Sequence, residues 1–599
     1  MSTTDRVPAG GLIALALCVY LPASQGAFIW DDDLYVIKNA ALRSVEGLCQ
    51  IWVHPQASPQ YYPLVFTSFW LEYHCWGLEP LGYHATNILL HAANAVLFWK
   101  LLTRLAVPGA WLAAALFVLH PVHVESVAWI SERKNVLSMF FYLSAALVYL
   151  RWDETRQSRR NGSRKNSGSG IRKNSGAAPR ERGVSRSEIR KHSAFRGPTA
   201  GFLANSATQF WLSLALYLAA LLSKTVTASL PAALLLVIWW RRGRITRADV
   251  WPLVPMFALS LVFARLTTSV ERMHVGATGR DFNFSPTDRL LIAGRGFWFY
   301  VEKLVWPSRL TFIYPRWKID AAAAWQYLFP LAAAALVGVL WLARGKCRRG
   351  PLVAVLFFAG TLVPALGFFD VFPMRYSFVA DHFQYLASLG LIVLAAAGVA
   401  RLSGRTPGRR RWAVTAAAIC WLAVLGALTW RQGHIYRDQE TLWRCTQANN
   451  PDGYLPNQNL AGMLAARGEL LEAAEHYRRA LAADSTSDLG GLAFCGLGTV
   501  LDELGNRAEA VRCFERALAI DPRYIVAYRG LAKAAHDEGR LDDSIAYLVQ
   551  ALRIAPDDPH AHAKLAQMYA RQGQAELAHR HEQAAAAILK RRVEMGIPP

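Results

Sequence analysis

Cysteine is scarce in this chain and placed without pattern. The 599 residues include 8 Cys, with no CxxC pair and no His/Cys spacing of the zinc-binding kind. Neither a disulfide scaffold nor a zinc module is encoded. Charge is scarce as well: 18% of residues are Asp, Glu, Lys or Arg, against about 25% in ordinary soluble domains. The deficit falls mainly on the acids, 43 against 65 Lys+Arg, for a formal net charge of +22. A collagen-like glycine period is missing, and a hydrophobic content of 53% excludes an intrinsically disordered chain. Among the cysteines, Cys49 and Cys75 share one loop and could bridge in an oxidising compartment. Cys18 and Cys420 lie in apolar runs, and Cys495 and Cys513 read as buried free thiols.

What the chain does have is apolar runs. A membrane helix needs about 20 mostly apolar residues, and spans are expected near 10–29, 83–106, 109–128, 135–151, 207–224, 225–241, 251–268, 324–343, 352–369, 385–401 and 412–430. The first of these also has the outline of a cleaved signal peptide. The apolar segment Leu290–Trp306 contains Arg295, Glu302 and Lys303 and reads as an interfacial or re-entrant helix. Between 152 and 206 a stretch rich in Arg, Lys, Ser and Gly, with RKNSG twice, reads as a disordered loop. Four segments (151–200, 241–247, 344–349 and 401–411) hold 27 of the basic residues, and alternating spans place all four on one side. The positive-inside rule makes that side cytoplasmic. The charge therefore orients the chain in a bilayer. Nucleic acid is not an expected partner, because the basic stretches lack interleaved aromatics.

After residue 440 a period of 34 residues appears. Leu497, Leu531 and Leu565 keep it, as do Gly505, Gly539 and Gly573, and Ala517, Ala551 and Ala585. Gly498, Ala532 and Ala566 follow the leucines, Pro522 and Pro556 close two units, and Gly468, Ala473, Tyr477 and Ala480 mark an earlier one. This matches about four tetratricopeptide repeats, each a helix pair, stacked over 440–599 into a superhelix with a concave groove. The expected fold is thus all-α: a membrane bundle of about 11 spans over 1–430, then the repeats. Eleven spans put the repeats on the non-cytoplasmic side.

Polar residues gather on that same side. Trp30 precedes Asp31, Asp32 and Asp33; carboxylates at a bilayer edge either cap a following helix or act as a general base. Tyr62 precedes a helix, and His84, Asn87 and His91 line one helix face. Such a stripe faces a watery cavity or hydrogen-bonds between helices. The third span ends in His120, Pro121, His123 and Glu125, followed by Glu132, Arg133 and Lys134. The HxH pair with the acids suits a divalent cation, and the cations equally suit a phosphate. Lys224 joins two spans, and Arg375 and His382 are phosphate partners or interfacial anchors.

The order of these motifs resembles one family. It is carried by WDD at Asp31, YYPL at Tyr61–Leu64, GYHATNILLHAANA at Gly82–Ala95, HPVHVESVAWISERKNVLS at His120–Ser138, SKT at Ser223–Thr225 and YP at Tyr314–Pro315. The family is that of bacterial tetratricopeptide-repeat membrane proteins related to the eukaryotic transmembrane and tetratricopeptide-repeat O-mannosyltransferases. The resemblance implies a GT-C-type bundle whose active site faces the lumen or periplasm, in a bacterial inner membrane, and which uses a polyprenyl-phosphate sugar as donor. It implies a catalytic role for Asp31 and Asp32. Where relatives carry SKPM and ADRYTYLP, this chain has SKTV and ADHFQYLA, so His382 replaces a permanent bidentate phosphate donor.

The function expected from these parts is transfer of a sugar, mannose among the candidates, from lipid phosphate to a protein hydroxyl. Asp31 or Asp32 would be the base, and His120, His123, Arg133, Lys134, Arg375 and His382 the pool that stabilises the phosphate. Tyr62, His84, Asn87, His91, Glu125 and Lys224 would line the cavity, and no metal ligand is assigned. The repeats would hold an acceptor segment. The alternative is a non-catalytic, membrane-anchored repeat scaffold for protein assembly.

Overall fold

A computed structural model describes residues 3–168, 206–277, 279–345 and 348–594. Among the described residues there are helices and no strands. Two units separate. The first comprises Met1–Leu310, Ile319–Phe372 and Asp381–Tyr436; the second comprises Thr311–Lys318, Pro373–Ala380 and Arg437–Pro599. The boundary expected near 430–440 is therefore incomplete, since two short segments from within the first region group with the repeats.

In the first unit each expected span contains a helix, but eleven full-length crossings are not found among the described residues. Six helices are long and apolar enough: Pro80–Arg104, Ile130–Arg159, Arg247–Val275, Ala324–Gly345, Ser388–Arg405 and Arg409–Tyr436. A seventh is the pair Ala110–Leu119 and Pro121–Ala128, bent by 59°. Val7–Val19, Ala207–Leu221 and Gly350–Ala365 are apolar but shorter. The run at 225–241 opens as a tight 3-10 turn, Thr225–Ser229, and leaves only Leu230–Arg242 as α-helix. Pro286–Val305 covers the segment expected to be interfacial and is not among the six.

The helix that begins at Arg133 runs on to Gly168, past the start of the expected 152–206 loop. A polar, Arg- and Ser-rich sequence can extend an existing helix, because only nucleation is costly. Residues 169–205 lie outside the described residues. Cys18, Cys49, Cys75 and Cys420 are free and exposed, so Cys49 and Cys75 do not bridge; Cys495 and Cys513 are free and buried.

Around Pro121 the chain steps rather than runs. His120 is extended (φ −82°, ψ 122°), as a residue before proline prefers. A 3-10 turn, a short helix at Val124–Ala128, an extended Trp129 and a second 3-10 turn at Ile130–Glu132 follow. Every residue from Phe117 to Val136 is buried. This stepped segment is the core on which the polar site is built.

The second unit stacks helix pairs from Tyr454–Ala466 to Ala575–Glu594. Gly468, Gly505, Gly539 and Gly573 turn the chain between paired helices at φ 79°, 82°, 79° and 72°, a backbone region that favours glycine. Leu497, Leu531 and Leu565 are buried, as are Ala517, Ala551 and Ala585. Gly498 is small by necessity, because a Cβ there would come within 2.7 Å of the Phe514 ring. The added segment Thr311–Lys318 is tied to this unit by Phe312 against Trp443 (ring centroids 5.6 Å) and by Asn450 Nδ2 donating to the Ile313 carbonyl at 3.3 Å.

Candidate active site

Asp31 and Asp32 are neighbours with different fates. Asp32 is fully buried and accepts from the Ile29 N–H at 2.9 Å, the Ser131 N–H at 2.8 Å and the Ser131 hydroxyl. It pins the loop after the first helix to the Ile130–Glu132 turn. Burial pushes its carboxyl up to about 7, against the pull of those three donors. Asp31 is half-buried, and among the described residues its carboxylate makes no hydrogen bond or ion pair. Burial raises it to about 6, Lys134 and His382 lower it, and Glu132 raises it, which places all three within electrostatic reach. Both carboxylates follow Trp30, whose backbone sits at φ 50°.

Beside Asp31 stands a charged cluster. Glu132 is buried and holds two lysines, Lys134 Nζ at 2.8 Å from Oε1 and Lys224 Nζ at 3.2 Å from Oε2. Lys134 lies over the rings of Tyr35 (5.3 Å) and Trp129 (5.7 Å), aromatic faces that help keep the ammonium charged once desolvated. Lys224 also donates to Asn135 Oδ1 at 2.8 Å. His382 donates its main-chain N–H to Glu125 Oε2 at 3.0 Å; its Nδ1 lies 2.9 Å from Glu125 Oε1 and its Nε2 3.9 Å from Glu132 Oε1. That geometry leaves His382 oriented by one carboxylate toward another. Tyr62 is buried close enough to feel Lys134 and Glu132.

Arg133 is different. Its five N–H donors are all spent on protein: Glu72 bidentately at 2.9 and 3.0 Å, the Tyr83 carbonyl at 2.9 Å, the Ser68 hydroxyl at 3.2 Å, and Asn87 Oδ1. Phe69 covers it at 5.2 Å. Expected to hold phosphate, it instead locks three helices together, and Asn87 serves the same knot through the Trp129 carbonyl at 3.3 Å.

Two of the three histidines expected at the phosphate, His120 and His123, are likewise engaged by protein groups. His120 Nε2 lies 2.9 Å from the Leu304 carbonyl; His123 is held by the Phe117 carbonyl at 2.8 Å and Ser388 Oγ at 2.9 Å. His84 meets the Gly26 carbonyl at 3.1 Å, and His91 meets Tyr385 Oη at 2.7 Å. These pairs are hydrogen bonding between elements, one of the two readings open for the stripe. Arg375 lies in the second unit, where it forms a bidentate pair with Asp488. Among the described residues no group of three or more His, Cys, Asp or Glu is arranged to hold a metal ion.

The structure thus brings together Asp31, Tyr62, Glu125, Lys134, Lys224 and His382 with Glu132 and Asn135. Two acids escaped the sequence reading. Glu72 anchors Arg133, and Glu271 accepts from Gln60 Nε2 at 2.9 Å and the Phe372 N–H at 3.3 Å, within reach of Lys134 and Lys224. The available signal was a lone acid inside an apolar helix, which is rare without a buried partner.

Residues 454–523 and 503–568 match the Tetratricopeptide repeat family. The Homo sapiens protein O-mannosyl-transferase TMTC4 is 24% identical over 517 residues, 78% of this chain and 64% of its own length. The Caenorhabditis elegans protein O-mannosyl-transferase F38B6.6 is 32% identical over 154 residues, and the Xenopus laevis protein O-mannosyl-transferase tmtc2 is 34% identical over 154 residues. Those two matches cover 23% and 24% of this chain and only 22% and 18% of the relatives. Among solved structures, MamA is 18% identical, covering 27% of this chain and 94% of its own, at a TM-score of 0.24. The chain is an all-α protein with tetratricopeptide repeats, homologous over most of its length to the proteins named protein O-mannosyl-transferases.

Proposed function

We propose that this protein is a membrane glycosyltransferase that moves a sugar, mannose by its relatives' names, from a polyprenyl-phosphate donor to a hydroxyl of a protein acceptor. The observation that carries the reading is Asp31: a half-buried carboxylate, raised to about 6, without a hydrogen-bond partner among the described residues and within electrostatic reach of Lys134 and His382. A base of that kind is ionised at neutral pH yet still accepts a proton readily. The acceptor O–H gives its proton to Asp31 as its oxygen bonds to the anomeric carbon. The bond from that carbon to the phosphate breaks, and the phosphate leaves with the electron pair. No general acid is needed, because phosphate is already a good leaving group. Lys134, Lys224 and His382 offset its growing charge, while Asp32 positions the loop through Ser131 and Ile29.

In this reading the GT-C-like bundle sits in a bacterial inner membrane with its site open to the periplasm, and the repeats capture the acceptor segment. Sugar transfer from radiolabelled polyprenyl-phosphate mannose in membranes tests the assignment. Asp31→Asn abolishes turnover in folded protein, whereas Asp32→Asn acts through the amount of folded protein. Full turnover by both variants removes the carboxylates from the mechanism, whereas no transfer by the parent chain leaves the membrane-anchored scaffold as the function.

A further inference from the structure

Away from the charged cluster, the first unit contains a cavity of about 290 Å³. Its walls include Leu102, Leu143, Leu236, Val353 and Leu394, and no acidic residue lines it. Trp240, Arg348 and Arg401 also line it. Trp240 is in the last turn of Leu230–Arg242, Arg401 near the end of Ser388–Arg405, and Arg348 just before Gly350–Leu362. These three therefore share the end of the bundle where the basic segments 241–247, 344–349 and 401–411 emerge. Asn87 marks the cluster end of Pro80–Arg104 and Leu102 the cavity end, about 22 Å apart at 1.5 Å per residue.

Both guanidinium groups are exposed, and among the described residues neither makes a hydrogen bond or ion pair. Arg348 sits at a backbone φ of 59°, a left-handed conformation that non-glycine residues rarely adopt. The cavity follows Ser388–Arg405 from Leu389 to Arg401, about 18 Å, close to the ~15 Å depth of one leaflet's hydrocarbon. Gly390 keeps the wall close-packed: a Cβ there would come within 2.5 Å of the Ala354 carbonyl.

We propose that this cavity is a binding site for an anionic glycerophospholipid, with one acyl chain between the helices and the phosphate on Arg348 and Arg401. An apolar slot one leaflet deep, ending in two unpartnered cations and an interfacial Trp, matches that ligand in length, polarity and charge. The site is separate from the transfer site, and its occupant packs against the shorter apolar helix Gly350–Ala365.

The full-length protein in neutral detergent, titrated with phosphatidylglycerol and followed by thermal unfolding, tests this. Phosphatidylglycerol raises Tm saturably, and phosphatidylcholine with the same acyl chains has a smaller effect. The double variant R348Q/R401Q, altered only at exposed side chains, keeps the lipid-free Tm and binds phosphatidylglycerol about tenfold more weakly. Val393→Trp, which fills the slot, weakens it with both arginines intact. Undiminished affinity in the double variant overturns the proposal, as does an equal response to phosphatidylcholine or to inorganic phosphate alone. Displacement of phosphatidylglycerol by equimolar polyprenyl phosphate overturns it too, because the slot would then belong to the sugar donor.

Discussion

Arg133 and Lys134 are adjacent basic residues on one helix, yet they serve regions of opposite character. Around Arg133 the donors and acceptors match completely, with Glu72, Ser68, Asn87 and the Tyr83 carbonyl taking every N–H. Around Lys134 the bookkeeping is left open: Glu132 is shared by two lysines, and Asp31 stands near Lys134 without a hydrogen bond among the described residues. Successive helix positions point about 100° apart, so one step in sequence separates a structural knot from an open charged cluster. A saturated buried ion gains nothing from a ligand; an incompletely satisfied one does. The contrast separates residues that hold the site from residues that can act in it.

The comparison breaks most visibly at Asp31. Asp31→Asn is expected to lower sugar transfer about a thousandfold, within the range for loss of a general base, with no fall in the thermal midpoint. A large loss of stability would mean that Asp31 belongs with the structural residues. Arg133→Met does the reverse. It leaves Glu72 buried and unpaired, at an expected loss of about 3–5 kcal/mol in denaturant unfolding, and adding Glu72→Gln recovers part of it. Transfer per folded molecule stays near that of the parent chain.

The pH response sharpens the same division. Asp31 must be ionised to accept a proton, so transfer falls as pH drops below about 6. Stability moves the other way. A carboxyl raised in the folded state binds its proton there more tightly than in the unfolded chain, so its contribution to stability declines as pH rises from about 4 to about 6. A rate profile with no limb near 6, or one unchanged in Asp31→Asn, removes Asp31 as the base. The smallest effect lies in the repeats. Gly505→Ala forces a Cβ onto φ 82°, and an unfolding loss of about 1 kcal/mol is expected, without change in transfer by the folded fraction.

Much of the architecture was legible in the sequence. The 34-residue period of Leu497, Leu531 and Leu565 gave the repeats because each column reports one packing requirement: a buried leucine, a turning glycine, a close-approach alanine. The apolar runs gave helices, but hydropathy does not register where a 3-10 turn such as Thr225–Ser229 consumes part of a span. The site was legible by neighbourhood and not by role. His120, His123 and Arg133 carry chemistry suited to phosphate, and only their partners (the Leu304 carbonyl, Ser388 and Glu72) show that they are already engaged. Those partners are distant in sequence, so no local motif could reveal them. Asp31 and Asp32 were equivalent on paper; the Ile29 and Ser131 donors that bury Asp32 distinguish them.

The left-handed backbone of Trp30 sets the phase of the loop that follows the first helix. It fixes which of two consecutive carboxylates turns inward and which lies near Lys134, much as a keyway fixes the angle of a shaft. Deleting or inserting one residue between Trp30 and Asp33 would conserve the acidic composition while exchanging the jobs of its members. The three aspartates therefore act as an address and not as a reservoir of charge: position along the loop, more than the number of carboxylates, decides which one is buried on Ser131 and which lies near Lys134.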